Sequence, residues 1–169
     1  ENKVKIVREG GLPPLIALLS CFNLRLLELA TAAIMNLATN PENKVRIAQR
    51  GGIAPLIGLL SSSNDLVQEQ SMGAICQLAM NAENKVKIVR EGGLPPLIAL
   101  LSCFNLRLLE LATAAIMNLA TNPENKVRIA QRGGIAPLIG LLSSSNDLVQ
   151  EQSMGAICQL AMNAENKVK

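Results

Sequence analysis

The chain has 169 residues, 49% apolar and 17% charged, with a formal net charge of +3, two Phe and no Tyr, Trp or His. That much apolar sequence at so little net charge excludes a disordered chain. No apolar run is long enough to cross a bilayer, and no signal-peptide layout opens the sequence, so no membrane partner is expected. The lack of histidine removes the usual general base, metal ligand and pH switch.

The scarcity of aromatic platforms argues against stacking of single-stranded nucleic acid. Lys3, Lys5 and Arg8 are flanked by Glu1 and Glu9, so the small positive charge reads as a solvated helix face and predicts no nucleic-acid partner. There is no GxSxG, no Gly-rich loop before a Lys and no ligand cluster, so neither an enzyme nor a cofactor is expected. Cys21, Cys76, Cys103 and Cys158 are two positions each written twice, without CxxC. They predict free thiols, in a cytoplasmic or nuclear-type reducing compartment if the protein is natural.

Residues 1–82 recur letter for letter as 83–164, and 165–169 begin a third copy. Inside the 82-residue unit lies a weaker period of 41: ENKVK at Glu1 is answered by ENKVR at Glu42, and EGGLPPLIALLS at Glu9 by RGGIAPLIGLLS at Arg50. We call the halves A and B, so the chain reads A-B-A-B, with repeats at 1–41, 42–82, 83–123 and 124–164. A period near 41 belongs to helical solenoids of two or three helices per repeat.

Helix signals divide each half in three. In the first A half, Leu26, Ala30, Ala33, Ile34 and Leu37 recur at spacings of three and four, which predicts a long helix with one buried face. Asn40 then caps a short helix over about 42–50, with Pro41 in its first turn and Glu42 in the positive field of the helix start. Gly51-Gly52 ends it through a left-handed cap. Pro55 opens a second short helix carrying Leu56, Ile57, Leu59 and Leu60, broken by Ser61–Ser63. Asn64 caps a third helix to about Ala79, with Val67, Ser71, Ala74, Ile75 and Leu78 on its inner face. No stretch alternates apolar and polar with period two, so strands are not expected.

A short helix ending in Gly-Gly, a Pro-started second helix ending in Leu-Leu-Ser and a long third helix ending in Asn-Leu-Ala resemble the armadillo repeat. The segments NPENKVRIAQRGGIAPLIGLLSSSN and AAIMNLATNPENK carry the resemblance, which covers the chain at constant period. HEAT repeats lack the separate first helix and the Gly-Gly break. The resemblance implies an all-α, right-handed superhelix of four three-helix repeats, whose third helices line a concave groove. In peptide-binding members an Asn near the end of the third helix contacts the backbone of an extended peptide. That position falls on Asn36 and Asn118, and on Gln77 and Gln159 in the B halves. Members that bind nuclear signals carry a Trp four residues earlier, where this chain has Ala32, Gly73, Ala114 and Gly155.

Helical geometry alone, at about 100° per residue, puts Arg25, Glu28, Leu29, Ala32 and Asn36 together on a side away from the core stripe. The B counterparts are Leu66, Glu69, Gln70, Gly73 and Gln77. Glu28, Glu69, Glu110 and Glu151 therefore form a row with one carboxylate per repeat and an amide beside each. Such a row suits an extended protein segment carrying Lys or Arg at regular spacing; the plainer reading is ordinary surface Glu paired with neighbours for little energy. The A half is also greasier than B at Phe22, Leu24, Leu27 and Leu29. Those leucines fill junctions that differ between A–B and B–A, or Phe22 and Leu24 form a partner surface.

A letter-for-letter copy of 82 residues implies an engineered array or a very recent duplication, with a fragment of a natural adaptor of near-identical armadillo repeats as the alternative. Neither terminal repeat is polar as a solenoid cap is. Head-to-tail self-association, continuation of the chain or poor solubility is expected.

Overall fold

The computed structural model describes residues 1–163, so the expectation that 165–169 open another repeat lies outside the described residues. Twelve α-helices and no strand are found among them. They form four triplets: α1 (Asn2–Arg8), α2 (Leu12–Leu18) and α3 (Leu24–Leu37); α4 (Pro41–Gln49), α5 (Ile53–Leu59) and α6 (Asp65–Leu78); α7 (Ala82–Arg90), α8 (Leu94–Leu100) and α9 (Leu106–Leu119); α10 (Pro123–Gln131), α11 (Ile135–Leu141) and α12 (Asp147–Ala161). Third helices stack in order, α3 on α6, α6 on α9 and α9 on α12, and each second helix lies against the third helix of its own triplet.

Local chemistry sets the boundaries. Asn23, Asn64, Asn105 and Asn146 cap the third helices, each side chain accepting the N–H three residues on at 2.8–3.1 Å. Asn40, Asn81 and Asn122 do the same for the first helices of repeats two to four. At the Gly-Gly break Gly51 takes a φ of +80°, a left-handed conformation open to glycine at little cost. A Cβ on Gly52 would lie 2.7 Å from Ile47 Cγ2, so a second glycine is also required. The second helix begins at Ile53, two residues ahead of Pro55. Proline is tolerated there because first-turn N–H groups have no partner within the helix.

Of the predicted stripe on α3, Ala30, Ile34 and Leu37 are buried, but Leu26 is 43% exposed. Its copy Leu108 is 3% exposed, because α9 packs on α6 whereas α3 has no third helix on that side. Between repeats runs a ladder of buried amides. Asn43 Nδ2 donates to Lys3 O and Leu37 O, Asn84 to Lys44 O, and Asn125 to Lys85 O and Leu119 O, at 3.1–3.2 Å. Each amide is thereby satisfied in the interior by a carbonyl of the preceding first helix, and Asn43 and Asn125 also by the last carbonyl of the preceding third helix.

The two kinds of junction differ. At A–B, the Thr31 hydroxyl lies within hydrogen-bonding reach of Gln70 Oε1, and of Leu27 O and Glu28 O at 3.0 Å; Thr113 and Gln152 repeat the arrangement. At B–A the same positions are Met72, fully buried, and Leu111, half-buried against the core. The greasy Leu29 and Leu111 are thus one member of an alternating polar and apolar pair.

Candidate functional site

The row of third helices presents three lines of side chains, set by the one-per-repeat spacing. The carboxylates stand near the helix starts, the small residues midway and the amides near the helix ends.

The carboxylates are engaged. Glu28, Glu69 and Glu110 each accept a hydrogen bond through Oε1 from Nδ2 of the next third-helix cap, Asn64 (3.3 Å), Asn105 (3.0 Å) and Asn146 (3.0 Å). Each Asn therefore caps its own helix with Oδ1 and ties it to the preceding helix with Nδ2. Arg25 and Arg107 add ion pairs to Glu28 and Glu110 at 3.5 and 3.7 Å. The B repeats have Leu66 and Leu148 where the A repeats have these arginines, so Glu69 keeps its second oxygen clear of an ion pair. Glu151 is exposed and has no hydrogen bond or ion pair among the described residues.

The small residues do not form an open slot. Gly73 is buried, and a Cβ there would lie 2.7 Å from Met35 Sδ; Gly155 meets Met117 Sδ at the same distance. The expectation that Gly73 faces the groove is corrected, because the Met of the preceding A repeat covers it. Ala32 and Ala114 are half-buried.

The amides are the open line. Asn36 is exposed and Gln77, Asn118 and Gln159 are half-buried, and none of their side-chain amides has a hydrogen-bond partner among the described residues. Beside this line stand cations that helical geometry within one repeat does not reveal. Lys3 Nζ donates to Thr39 Oγ1 at 2.6 Å, and that hydroxyl donates to Asn36 O; Lys85, Thr121 and Asn118 repeat the relay. Lys44 is 7% exposed, with Nζ 3.6 Å from Met80 Sδ. The surface is thus acidic at one edge and basic at the other. The recurrence of Lys in ENK every 41 residues was the available signal.

The four cysteines are free thiols. Burial pushes the Cys76 thiol up, offset in part by Arg107 and Lys44, and burial also raises Cys103, against the hydrogen bond from the Asn105 backbone. No group of three metal-ligating side chains occurs among the described residues, and no helix among them is long and apolar enough to cross a membrane.

The family model described as Armadillo/beta-catenin-like repeat matches four times, over residues 1–39, 40–80, 81–121 and 122–162. The chain belongs to the armadillo-repeat family. Similar solved structures include designed armadillo repeat proteins. One, described as computationally designed armadillo repeat proteins for modular peptide recognition, is 30% identical with a TM-score of 0.94, over 98% of this chain and 71% of that one. A designed armadillo repeat protein in complex with the peptide (KR)4 is 30% identical with a TM-score of 0.87, over 94% of this chain and 67% of that one. An engineered protein at 30% identity and a TM-score of 0.89 is matched over 94% of this chain and 66% of its own length. No curated protein sequence matches. The armadillo fold is a protein-binding scaffold rather than a typical enzyme fold, and the all-helical solenoid expected from the sequence is the architecture found.

Proposed function

We propose that this armadillo solenoid is a non-enzymatic scaffold, built by copying a two-repeat unit, whose third helices hold an extended peptide carrying Lys or Arg. The observation that carries the reading is the line of four side-chain amides without internal partners, Asn36, Gln77, Asn118 and Gln159. Side-chain amides offer a donor and an acceptor together, which is what an extended backbone needs. The complex of a designed relative with (KR)4 supports a basic peptide. Its cationic side chains would turn toward Glu69 and Glu151, whose carboxylates are less occupied than those of Glu28 and Glu110, and away from Lys3 and Lys85. Affinity would be modest, since the groove lacks Trp and Tyr anchors.

Calorimetric titration with an alternating Lys-Arg octapeptide tests this. Saturable binding is expected, weakened about tenfold by Glu69→Ala together with Gln77→Ala. No saturable heat at low salt, or equal binding by that variant, would remove the reading. A fragment of a natural adaptor would use the same groove, and its own peptide would bind more tightly than any repetitive one.

A second reading rests on the end faces. Ile6 is 46% and Met154 48% exposed, while their copies Ile88 and Met72, at the inner B–A junction, are at 0%. A second copy of this chain fits the ends, because the interior junction is made of the same residues. Sedimentation over a hundredfold concentration range is expected to show mass rising with concentration. A monomer throughout would end this idea.

A further inference from the structure

We infer that the two A–B junctions each carry a binding site for a carboxylate attached to an apolar body. A cavity of about 270 Å³ is lined by Val89, Gly92, Leu94 and Pro95 of the A repeat and by Arg128, Gln131 and Arg132 of the B repeat. Its copy, about 320 Å³, is lined by Val7, Gly10, Leu12 and Pro13 with Arg46, Gln49 and Arg50. No third-helix residue lines either cavity, so the site is separate from the peptide groove. Val89 and Leu94 are nearly buried and make an apolar floor, and two guanidinium groups and an amide stand on one side of the cavity.

Charge in this cluster is unbalanced toward the cations. Arg128 gives one nitrogen, Nη2, to Glu124 at 2.7 Å, and Arg46 likewise to Glu42 at 2.6 Å. Each guanidinium has further N–H donors in its planar fork. Arg90 and Arg8 reach the same acids only at 4.0 and 3.9 Å. Arg132 and Arg50 enter no ion pair or side-chain hydrogen bond among the described residues.

The B–A junction shows what chemistry this place takes. There the positions of Arg128 and Arg132 are held by Lys87 and Glu91. Lys87 Nζ lies 3.8 Å from Glu91 Oε1 and donates to Ala48 O, so a cation and a carboxylate of the chain itself sit together beside the left-handed Gly51. At A–B the carboxylate is replaced by a second arginine, which leaves the cations without the acid that neutralises the sister site. A ligand carboxylate accepts paired N–H donors from such a fork, while its aliphatic or aromatic body covers Val89 and Leu94. A free apolar acid and the C-terminal residue of a peptide share this chemistry.

The test is an NMR titration of the full chain with arginine side chains labelled, using N-acetyl-leucine and, separately, N-acetyl-leucinamide. Saturable shifts of arginine Nε–Hε signals are expected with the acid, at roughly millimolar dissociation for so small a ligand, and not with the amide. R50E with R132E recreates the acid of the sister junction at both sites and should weaken binding at least about tenfold, with helicity and melting midpoint reporting that the variant is folded. R50K with R132K keeps the charge but not the fork and should give an intermediate loss. Ala-Ala-Leu with a free or amidated C-terminus separates the two sources: tighter binding of its free acid than of N-acetyl-leucine assigns a peptide end, and equal binding assigns a small acid. Equal shifts with acid and amide, no saturable shift, or undiminished binding by folded R50E/R132E would overturn the proposal.

Discussion

Residues 1–81 and 83–163 share every letter, yet their side chains do not share surroundings. Ile6 is 46% exposed and its copy Ile88 fully buried; at the other end Met72 is fully buried and its copy Met154 is 48% exposed, and Ile57 and Ile139 differ as 8% and 55%. With sequence held constant, the only variable left is the neighbouring repeat. The comparison shows that a large part of each repeat's core is completed by the next unit, the nearest-neighbour logic of stacked arrays. It also gives an internal control that few proteins offer.

The largest expected effect comes from deleting apolar bulk on the two sides of that control. Ile88→Ala should cost about 3 kcal/mol in chemical denaturation, a cavity plus a lost transfer term, and Ile6→Ala under about 1 kcal/mol. Equal costs, appearing only at high protein concentration, would mean that a second copy covers Ile6. Next is the buried amide ladder. Asn84→Ala removes a buried hydrogen bond to Lys44 O and should cost about 1 kcal/mol, whereas Asn2→Ala, at an exposed position, should cost under about 0.5 kcal/mol.

Thiol chemistry sharpens the same contrast. Cys158 is exposed, while its copy Cys76 is half-buried with a raised pKa. Since the thiolate is the attacking species, a raised pKa leaves Cys76 mostly protonated at mildly alkaline pH. Since the two cysteines lie in peptides of identical sequence, the check is peptide mapping of thiol labelling at pH 8 in the Cys76→Ser and Cys158→Ser variants, which each leave one of the pair. Cys158 should be modified at least about tenfold faster than Cys76. The smallest effect is expected where the copies agree. Phe22 and Phe104 are both fully exposed, so Phe22→Ala with Phe104→Ala should move stability by less than about 0.5 kcal/mol.

What could be read from one repeat was the part encoded within one repeat. The Asn caps, the Gly-Gly break and the division into three helices follow from local chemistry, with only the start of α5 displaced, because proline sits comfortably in a first helical turn. What could not be read depends on register between repeats. Helical geometry put Glu28 and Glu69 in a row of one carboxylate per repeat, but could not reveal the Asn64 and Asn105 amides that reach across to them. Gly73 was expected on the groove side, and only the stacking of α3 on α6 shows Met35 lying over it. Leu26 belongs to the core stripe by spacing and lies exposed because no third helix stands beyond it. Lys3 and Lys85 come from a different helix than the amides they neighbour.

The Thr31–Gln70 contact has a consequence for how such a chain can grow. An A repeat followed by another A would set a threonine hydroxyl against a leucine, and a B followed by B would set Met72 against a glutamine. Either order buries a polar group opposite an apolar one. Inserting one repeat inside the array therefore spoils a joint, whereas inserting an adjacent pair in the same order keeps both kinds of junction intact: the interior has parity, and counts in pairs.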